Sequence, residues 1–253
     1  MTYQSGFELH GMKHTSPSSL NMWAECPGAW VAKYLFKHKF GFGVAPQIGI
    51  LVEKVVANAL TEKMTLDQAI GEAEKTFTKA NCFGVSEKDR ARIVDIRLMS
   101  ELAYEELKQY GKPSFNGDDQ HKIEMTVKGD GWDLPIIGFL DFVYPELGLV
   151  IDLKTTRRIP SVMSNAHRIQ QAVYSKAKGN ASVKFLYVSP KKTSLLENED
   201  EAASLRLAKA ILNRQERFLR LGDAEMLKKI VHVNAGSFYW TKEASSRFEL
   251  FGI

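Results

Sequence analysis

Cysteine is scarce in this sequence of 253 residues, and its scarcity excludes several kinds of site. Cys26 and Cys82 are the only two cysteines, too few for a zinc or iron–sulfur site that four cysteines hold. Because disulfides are typical of exported proteins, we expect two reduced thiols in an intracellular protein.

Long apolar runs and a strong charge imbalance are also missing. No stretch approaches the roughly eighteen apolar residues of a membrane helix, and the first residues do not form a recognisable signal peptide. We therefore expect no membrane association. The formal net charge is only +4, which neither requires nor excludes a nucleic-acid partner. A Walker phosphate-binding loop, a helix-turn-helix and a zinc finger are absent as well, so neither a built-in motor nor sequence-specific reading is indicated.

The spacing of apolar residues changes near residue 114. Before this point, apolar residues recur at helical spacing, which predicts helices over residues 16–41, 48–64, 66–79 and 87–109. Ser16 is expected to cap the first of these segments, and Pro27 is expected to break it. We expect residues 1–113 to form a helical N-terminal part.

After residue 114, short apolar or alternating stretches lie between turn residues. They predict strands over residues 121–127, 132–144 and 149–154. A helix over 164–178, a strand over 183–188 and a helix over 199–221 complete the pattern. We expect an α/β fold with a small mixed sheet flanked by helices, in which residues 114–253 form the core of one continuous domain.

Three residues in this core suggest chemistry. Side chains alternate along a strand, so Asp152 and Lys154 must share one face while Leu153 turns into the core. If the strands that carry Asp141 and Asp152 pair through the turn at Pro145, the two carboxylates can converge on a hard cation such as Mg²⁺ or Mn²⁺. Lys154 could then position a water and stabilise developing negative charge. Taken alone, an Asp-x-Lys pattern is more often a solvated strand edge or an ordinary ion pair.

Four separated motifs strengthen this interpretation, and their order resembles the PD-(D/E)XK nuclease superfamily. Within it they are similar to the branch that includes the RecB nuclease domain, lambda-type exonucleases and the exonucleases of CRISPR adaptation. The resemblance spans residues 16–188. The motifs are Ser16-Pro17-Ser18-Ser19-Leu20 with Cys26-Pro27 and Trp30, Gly49-Ile50-Leu51-Val52-Glu53, Asp141 with Asp152-Leu153-Lys154, and Gln170-Gln171-Ala172-Val173-Tyr174.

The resemblance implies a set of metal ligands for Mg²⁺ or Mn²⁺. These are Asp141, Asp152, the backbone carbonyl of Leu153, and Glu53, which stands where many members have a histidine. The alternative for Glu53 is a surface glutamate paired with a lysine. Some members hold an iron–sulfur cluster, but no cysteine follows Cys82, so we expect no cluster and interpret Cys26 as a small buried residue.

Further residues are predicted to contact DNA. Gln170 and Tyr174 share a helix face, so both can reach the active site or a substrate backbone, and His167 lies one turn earlier. Arg157 and Arg158 could hold a phosphate, and Ser18 belongs to the first motif. Each of these positions has an ordinary alternative as a solvated polar residue, and this is equally true of Glu124 on the first strand.

Basic and aromatic residues alternate near residue 35, as they do in some single-strand binding surfaces. The preferred interpretation is instead an amphipathic helix whose aromatic face enters the core. The segment contains Trp30, Lys33, Tyr34, Phe36, Lys37, His38, Lys39 and Phe40.

The resemblance as a whole implies a metal-dependent DNA exonuclease acting on ends or single strands, with its catalytic core in residues 114–253 and one metal ligand from residues 1–113. A structure-specific endonuclease is the enzymatic alternative. A non-catalytic nucleic-acid-binding protein is the other alternative, although such a protein would have no chemical reason to retain Asp141, Asp152 and Lys154. We expect a cytoplasmic location in a bacterial or virus-infected cell. The oligomeric state stays open.

Overall fold

The computed structural model describes residues 4–39, 43–115, 120–240 and 249–252. Phe40, which belongs to the basic and aromatic segment, lies outside this part. The ends of the predicted ranges 1–113 and 114–253 also extend beyond it.

The described residues before position 111 are predominantly helical. Pro27 begins a new helix after a break at Cys26, because proline lacks the N–H that a continuing helix would need. The helices are α1 (Gly6–Leu9), α2 (Pro17–Glu25), α3 (Pro27–Tyr34), α4 (Val44–Leu60), α5 (Leu66–Ala80), α6 (Glu87–Arg90) and α7 (Ile93–Leu107).

The prediction of one helix over residues 87–109 was wrong. This segment is α6, then α7, and then a short 3-10 helix over Lys108–Tyr110. Helix α6 buries no residue, whereas α7 buries one face that includes Ile96, Met99 and Ala103. Tertiary packing therefore holds α7 in place but does not align α6 with it.

The described residues of the second part form six strands, three α-helices and a 3-10 helix over Pro145–Leu147. Strand β1 pairs with β2 in a two-stranded antiparallel sheet. A separate mixed sheet has the order β3-β4-β5-β6, in which β4 and β5 are parallel and joined by a helix. The elements are β1 (His121–Lys128), β2 (Asp133–Leu140), β3 (Phe142–Tyr144), β4 (Leu149–Thr155), α8 (Asn165–Ala177), β5 (Ser182–Val188), β6 (Thr193–Leu196), α9 (Glu201–Leu219) and α10 (Ala224–Ile230).

The single strand predicted over residues 132–144 was also wrong. It is β2 and β3, which belong to different sheets and are separated by Asp141. The chain leaves its pairing with β1 at Leu140 and begins pairing with β4 at Phe142. Asp141 therefore lies at the switch between two sheets. The sequence did not reveal β6, α1 or α10.

Two apolar cores lie on opposite faces of the mixed sheet. One contains Val150 together with residues of α2, α3, α8 and α9. The other contains Leu149, Ile151 and Leu153 together with residues of α4, α5 and α7. The period of two along β4 assigns its residues to the two cores. The architecture is thus an α/β fold with small mixed sheets flanked by helices, which confirms the predicted fold class.

The basic and aromatic segment directs its largest ring into the core, as preferred above. Trp30 is fully buried, and its indole N–H donates to Ser19 Oγ at 2.9 Å. The ring of Tyr34 stacks on Trp30. Cys26 is likewise fully buried. Among the described helices, none combines the length and the hydrophobicity that crossing a bilayer requires.

Candidate active site

Asp141 and Asp152 are brought together by the pairing of β3 with β4. Phe142 lies opposite Ile151 in this antiparallel pair, so Asp141 and Asp152 follow at the adjacent position. Asp141 Oδ2 accepts a hydrogen bond of 2.9 Å from the backbone N–H of Leu153. The predicted pairing of the two strands through the turn at Pro145 is therefore present and places Asp141 opposite Asp152.

Lys154 shares a face of β4 with Asp152. Its Nζ lies 2.5 Å from Asp152 Oδ2 and 5.1 Å from the centre of the Phe185 ring on the neighbouring strand. Leu153 points to the opposite face and is buried among the α4 and α7 residues. Alternation along the strand therefore presents an acid and a base together, with an aromatic ring beside the amine.

Helix α4 brings Glu53 to the same place. A Cβ atom at Gly49 would lie only 3.0 Å from Thr155 Oγ1, so glycine allows α4 to approach the end of β4 closely. Glu53, one turn later, is half-buried, and its carboxylate accepts a hydrogen bond from Gln120 Nε2. The same Gln120 nitrogen donates to Asp141 Oδ1 at 2.9 Å. Lys154 lies close enough for its charge to act on Glu53, so the alternative of a glutamate paired with a lysine stays open.

Helix α8 supplies the two residues of the last motif. Gln170 Nε2 donates to Asp152 Oδ1 at 3.1 Å and to Tyr174 Oη at 2.9 Å. A Cβ atom at Gly138 would lie 2.5 Å from Tyr174 Cε1, so glycine at this position makes room for the tyrosine ring. Ser164 caps α8 by accepting from the N–H of His167, which fixes where the helix begins.

Other predicted site residues lie farther from the carboxylates. His167 Nδ1 is 2.5 Å from Tyr187 Oη, and its ring packs against Phe185. Arg157 and Arg158 are exposed just after β4, and neither lines the cleft that holds Asp152. Their contact with DNA stays a prediction, as does that of His167. Glu124 is exposed on β1.

The cleft has a volume of about 390 Å³ and opens above the two aspartates. Ser18, at the start of α2, forms part of its wall. Sequence analysis did not single out His14, Gln120, Ile137 or Phe139, which also line it. The only available signal was position: Gln120 directly precedes the predicted first strand, and Phe139 stands between Gly138 and Asp141. The other residues that line the cleft are Ser16, Pro17, Glu53, Gly138, Asp141, Asp152, Leu153, Lys154, Gln170 and Tyr174.

Burial shapes the electrostatics of this cleft. It raises the pKa of Asp141 well above the usual range, and the negative charges of Asp152 and Glu53 raise it further. Burial likewise raises the pKa of Asp152 and of Glu53. For Lys154, burial alone would lower the pKa, but the surrounding carboxylates outweigh it and the pKa is raised. Lys154 is therefore held in its charged form beside acids that are costly to ionise together.

Burial, followed by the charge of Lys154, lowers the pKa of His167 to about 4. Burial and the nearby Asp152 raise the pKa of Tyr187 to about 12. Both partners in the His167–Tyr187 contact are therefore neutral near pH 7. The contact therefore adds no charge beside Lys154 near pH 7.

Comparison with known proteins identifies the family. A model of the PD-(D/E)XK nuclease superfamily matches residues 14–245. The chain belongs to this superfamily. No curated protein matches the chain. One similar solved structure is described as the crystal structure of SSO0001, with 17% sequence identity, coverage of 78% of this chain and 83% of that chain, and a TM-score of 0.36. A likeness this distant supports no argument about the site.

PD-(D/E)XK nucleases typically use divalent cations such as Mg²⁺, and the cleft has features that suit one. Asp152 Oδ2 is buried, and its partner among the described residues is the ammonium of Lys154 at 2.5 Å. Among the described residues, three carboxylates lie near Lys154, so a bound cation would offset the charge that they carry when ionised. Even so, the described residues include no ready group of three or more His, Cys, Asp or Glu ligands, and Gln120 lies between Glu53 and Asp141. A joint role of the three acids as ligands stays a prediction.

Proposed function

We propose that this protein is a Mg²⁺- or Mn²⁺-dependent deoxyribonuclease that hydrolyses phosphodiester bonds from DNA ends or in single strands. The observation that carries the proposal is the meeting of Asp141, Asp152 and Lys154 where two sheets join, on the floor of an open cleft. Buried like charges beside a lysine are expensive to maintain without a purpose, so they favour a functional site over an ordinary strand surface.

In this proposal, Asp141, Asp152, Glu53 and the carbonyl of Leu153 hold the cation. The cation supplies Lewis acidity toward the phosphate and makes water a stronger nucleophile. Leu153 can contribute its backbone while its side chain anchors the strand in the core. The hydrogen bond from the Leu153 N–H to Asp141 orients that carboxylate.

Lys154 is the proposed positioning group for the attacking water and for the developing negative charge on the phosphate. Its ammonium is held charged by the carboxylates and lies over the Phe185 ring. Gln170 acts by fixing Asp152 through its amide, and the hydroxyl of Tyr174 fixes Gln170 in turn. Ser18, at the cleft wall, is a candidate contact for the DNA backbone, and Arg157, Arg158 and His167 are proposed to bind DNA outside the cleft.

The proposal of an exonuclease rests on two helix motifs that border the cleft. Gly49 and Glu53 fit the helix motif of the branch that includes RecB and lambda-type exonucleases, and Gln170 and Tyr174 fit its later helix motif. The resemblance to that branch is the reason to propose an end-directed DNA exonuclease, formed by residues 1–113 and 114–253 as one unit. Its proposed place of action is the cytoplasm of a bacterial or virus-infected cell.

The test is a cleavage assay on internally labelled DNA, single- and double-stranded, linear and circular. Each substrate is incubated with Mg²⁺, with Mn²⁺ or with EDTA. We expect metal-dependent release of short products from linear DNA only, and we expect Lys154→Ala to remove this activity while its circular dichroism spectrum is unchanged. Equal cutting by Lys154→Ala would contradict the mechanism.

The same assay separates the alternatives. Cutting of circular DNA would replace the exonuclease with an endonuclease. Binding of DNA without cutting under any metal condition would favour the non-catalytic protein.

A further inference from the structure

A second groove adjoins the candidate active site on the outer side of α4. Its volume is about 830 Å³, roughly twice that of the cleft itself. Glu53, Gln120 and Phe139 line both spaces, so the groove is continuous with the cleft at the place where the carboxylates lie. A chain that leaves the cleft on this side must enter the groove.

The walls of the groove differ in chemistry. Phe139 on β2 is 50% exposed, and Ile50 on α4 is 54% exposed. Phe115 also lines the groove, with its ring edge-on to the buried Phe142 at 6.3 Å between ring centroids. These side chains form an apolar wall. In it, the Phe139 ring is half-exposed, and the Phe115 ring packs against the buried Phe142.

Helix α4 adds a polar wall. Lys54 is exposed and makes no ion pair or hydrogen bond with any residue in the described ranges. Asn58 follows one turn later and also lines the groove. From Ile50 to Asn58 the helix rises about 12 Å. The groove therefore offers a free cation and an amide along one side and aromatic surface along the other.

We infer that this groove binds a single strand of nucleic acid next to the bond that is cut, with a base stacked on Phe139 and the backbone near Lys54. The inference rests on the proposed nuclease function, because it places the strand between the groove and the carboxylates. Base faces stack on aromatic side chains, and phosphates favour lysine and amide donors. Inside a duplex both faces of each base are stacked on neighbouring pairs, so Phe139 can reach an internal base face only when the strand is unpaired.

The lining also argues against other occupants. An acidic peptide could pair with Lys54, but its carboxylates would then lie beside Glu53. Acidic side chains also have no flat apolar face that would stack on the aromatic wall. A nucleic-acid strand brings phosphates that the proposed cation at Glu53 and Asp141 would neutralise, and it brings flat apolar faces as well. Strand binding and cation binding should therefore support each other.

The test measures binding of a fluorescein-labelled oligothymidylate by anisotropy, with Mg²⁺ present. The protein carries Lys154→Ala so that the oligonucleotide is not cut, and a hairpin duplex is the comparison ligand. We expect Phe139→Ala to weaken oligothymidylate binding roughly five- to 150-fold and to change duplex binding far less. Phe139→Trp should restore binding, because its larger ring can also stack.

Two matched controls make the same chemical changes elsewhere. The control for Phe139→Ala is Phe83→Ala, at a side chain that is 88% exposed in the loop after α5. It should leave binding unchanged.

A second test variant changes the charge in the groove. Lys54→Gln should weaken binding and reduce its dependence on salt by about one counterion. Lys88→Gln on α6 changes an equally exposed lysine that does not line the groove, and it should do neither.

The outcomes also separate this inference from the proposed function. If the wild-type protein cuts DNA but Phe139→Ala binds oligothymidylate as well as Phe83→Ala does, the groove assignment is wrong and the nuclease stands. Equal weakening of single-strand and duplex binding would overturn single-strand selectivity. If Phe139→Ala weakens binding but the wild-type protein cuts no DNA, the groove stands and the nuclease proposal fails. Absence of oligothymidylate binding by the parent protein would overturn the groove assignment.

Discussion

Strand β4 has two faces that contact different surroundings. Leu149, Ile151 and Leu153 pack against the α4, α5 and α7 side and are all buried. The opposite face begins with Val150 in the other apolar core and ends with Asp152 and Lys154. Burial stabilises the first face, whereas on the second it raises the cost of carrying charge. One strand thus anchors the fold on one side and holds the candidate chemistry on the other.

The same division appears in two adjacent glutamines of α8. Gln170 donates to Asp152 and Tyr174 at the cleft. Gln171 is buried on the far side and donates to the backbone of Val183 and to Glu201. These two adjacent residues of the same type therefore have different surroundings: Gln170 contacts the candidate active site, and Gln171 packs in the core. The comparison teaches that orientation, more than residue type, decides which substitutions should affect activity and which should affect stability.

The largest expected effect is on the polar face of β4. Asp152→Asn should lower the rate of DNA cleavage by about 10³-fold or more, because it removes a proposed cation ligand and the ion pair of Lys154. Stability should be unchanged or higher, since a buried charge is lost. The measurement is single-turnover cleavage of labelled DNA together with a thermal melt. Asp130→Asn, in the exposed turn between β1 and β2, is the control. A cleavage rate close to that of the wild-type protein would contradict the assignment of the candidate chemistry to this face of β4.

The apolar face should respond in the opposite way. Ile151→Ala, at a fully buried position, should lower the free energy of unfolding by about 2–5 kcal/mol, because it leaves a cavity in a packed core. At a temperature where the variant is folded, its cleavage rate should stay near that of the wild-type protein. Urea denaturation and the cleavage assay measure the two quantities. Loss of cleavage without loss of stability would show that the two faces are not separable.

Substitutions of the two adjacent glutamines of α8 should have smaller effects, on cleavage for one and on stability for the other. Gln170→Ala should lower cleavage by about 10- to 100-fold, because Asp152 loses a partner that orients it. Gln171→Ala should instead lower the free energy of unfolding by about 1–3 kcal/mol, because the Val183 carbonyl is left buried without that donor. Each variant is assayed for both cleavage and stability. If the two variants changed the same quantity, orientation on α8 would not matter as we propose.

The smallest effect concerns Asp141 in the protein without metal. Its folded pKa lies well above the ordinary value of 3.8, so the folded state binds the extra proton and stability falls as pH rises from about 4 through the raised pKa. Asp141→Asn should remove this loss and raise the free energy of unfolding at pH 7 by about 1 kcal/mol. Asparagine can still accept from the Leu153 N–H.

Added Mg²⁺ should stabilise the wild-type protein, because a ligand that binds only the folded state raises stability. The Asp141→Asn variant should lose most of this gain. Thermal melts across pH, with Mg²⁺ and with EDTA, measure both effects. A metal-free variant less stable than the wild-type protein at pH 7 would indicate that Asp141 is a structural hydrogen-bond acceptor above all.

Local geometry made part of this arrangement predictable. The period of two placed Asp152 and Lys154 on one face and Leu153 in the core, because the backbone of a strand fixes that alternation. The helix period likewise placed Gln170 and Tyr174 on one side of α8. Ser16 and Pro27 marked helix boundaries because their effects on backbone hydrogen bonds are local.

Other features depend on contacts between distant parts of the chain, and the sequence did not reveal them. The strand before Asp141 and the strand after it have similar local patterns, so the switch between sheets follows only from their different partners, β1 and β4. Gln120 reaches Glu53 and Asp141 from positions far away in sequence, and no spacing rule connects them. Strand β6 is only half-buried throughout and has a weak apolar signal.

The most direct measurement of the central claim is the anomalous difference density of crystals soaked in Mn²⁺. The account predicts at least one Mn²⁺ between Asp141 and Asp152, with carboxylate oxygens and the Leu153 carbonyl at about 2.0–2.3 Å, and with Gln120 moved away from Glu53 if that acid is also a ligand. Density for Mn²⁺ elsewhere, with Lys154 still paired to an otherwise unliganded Asp152, would contradict it.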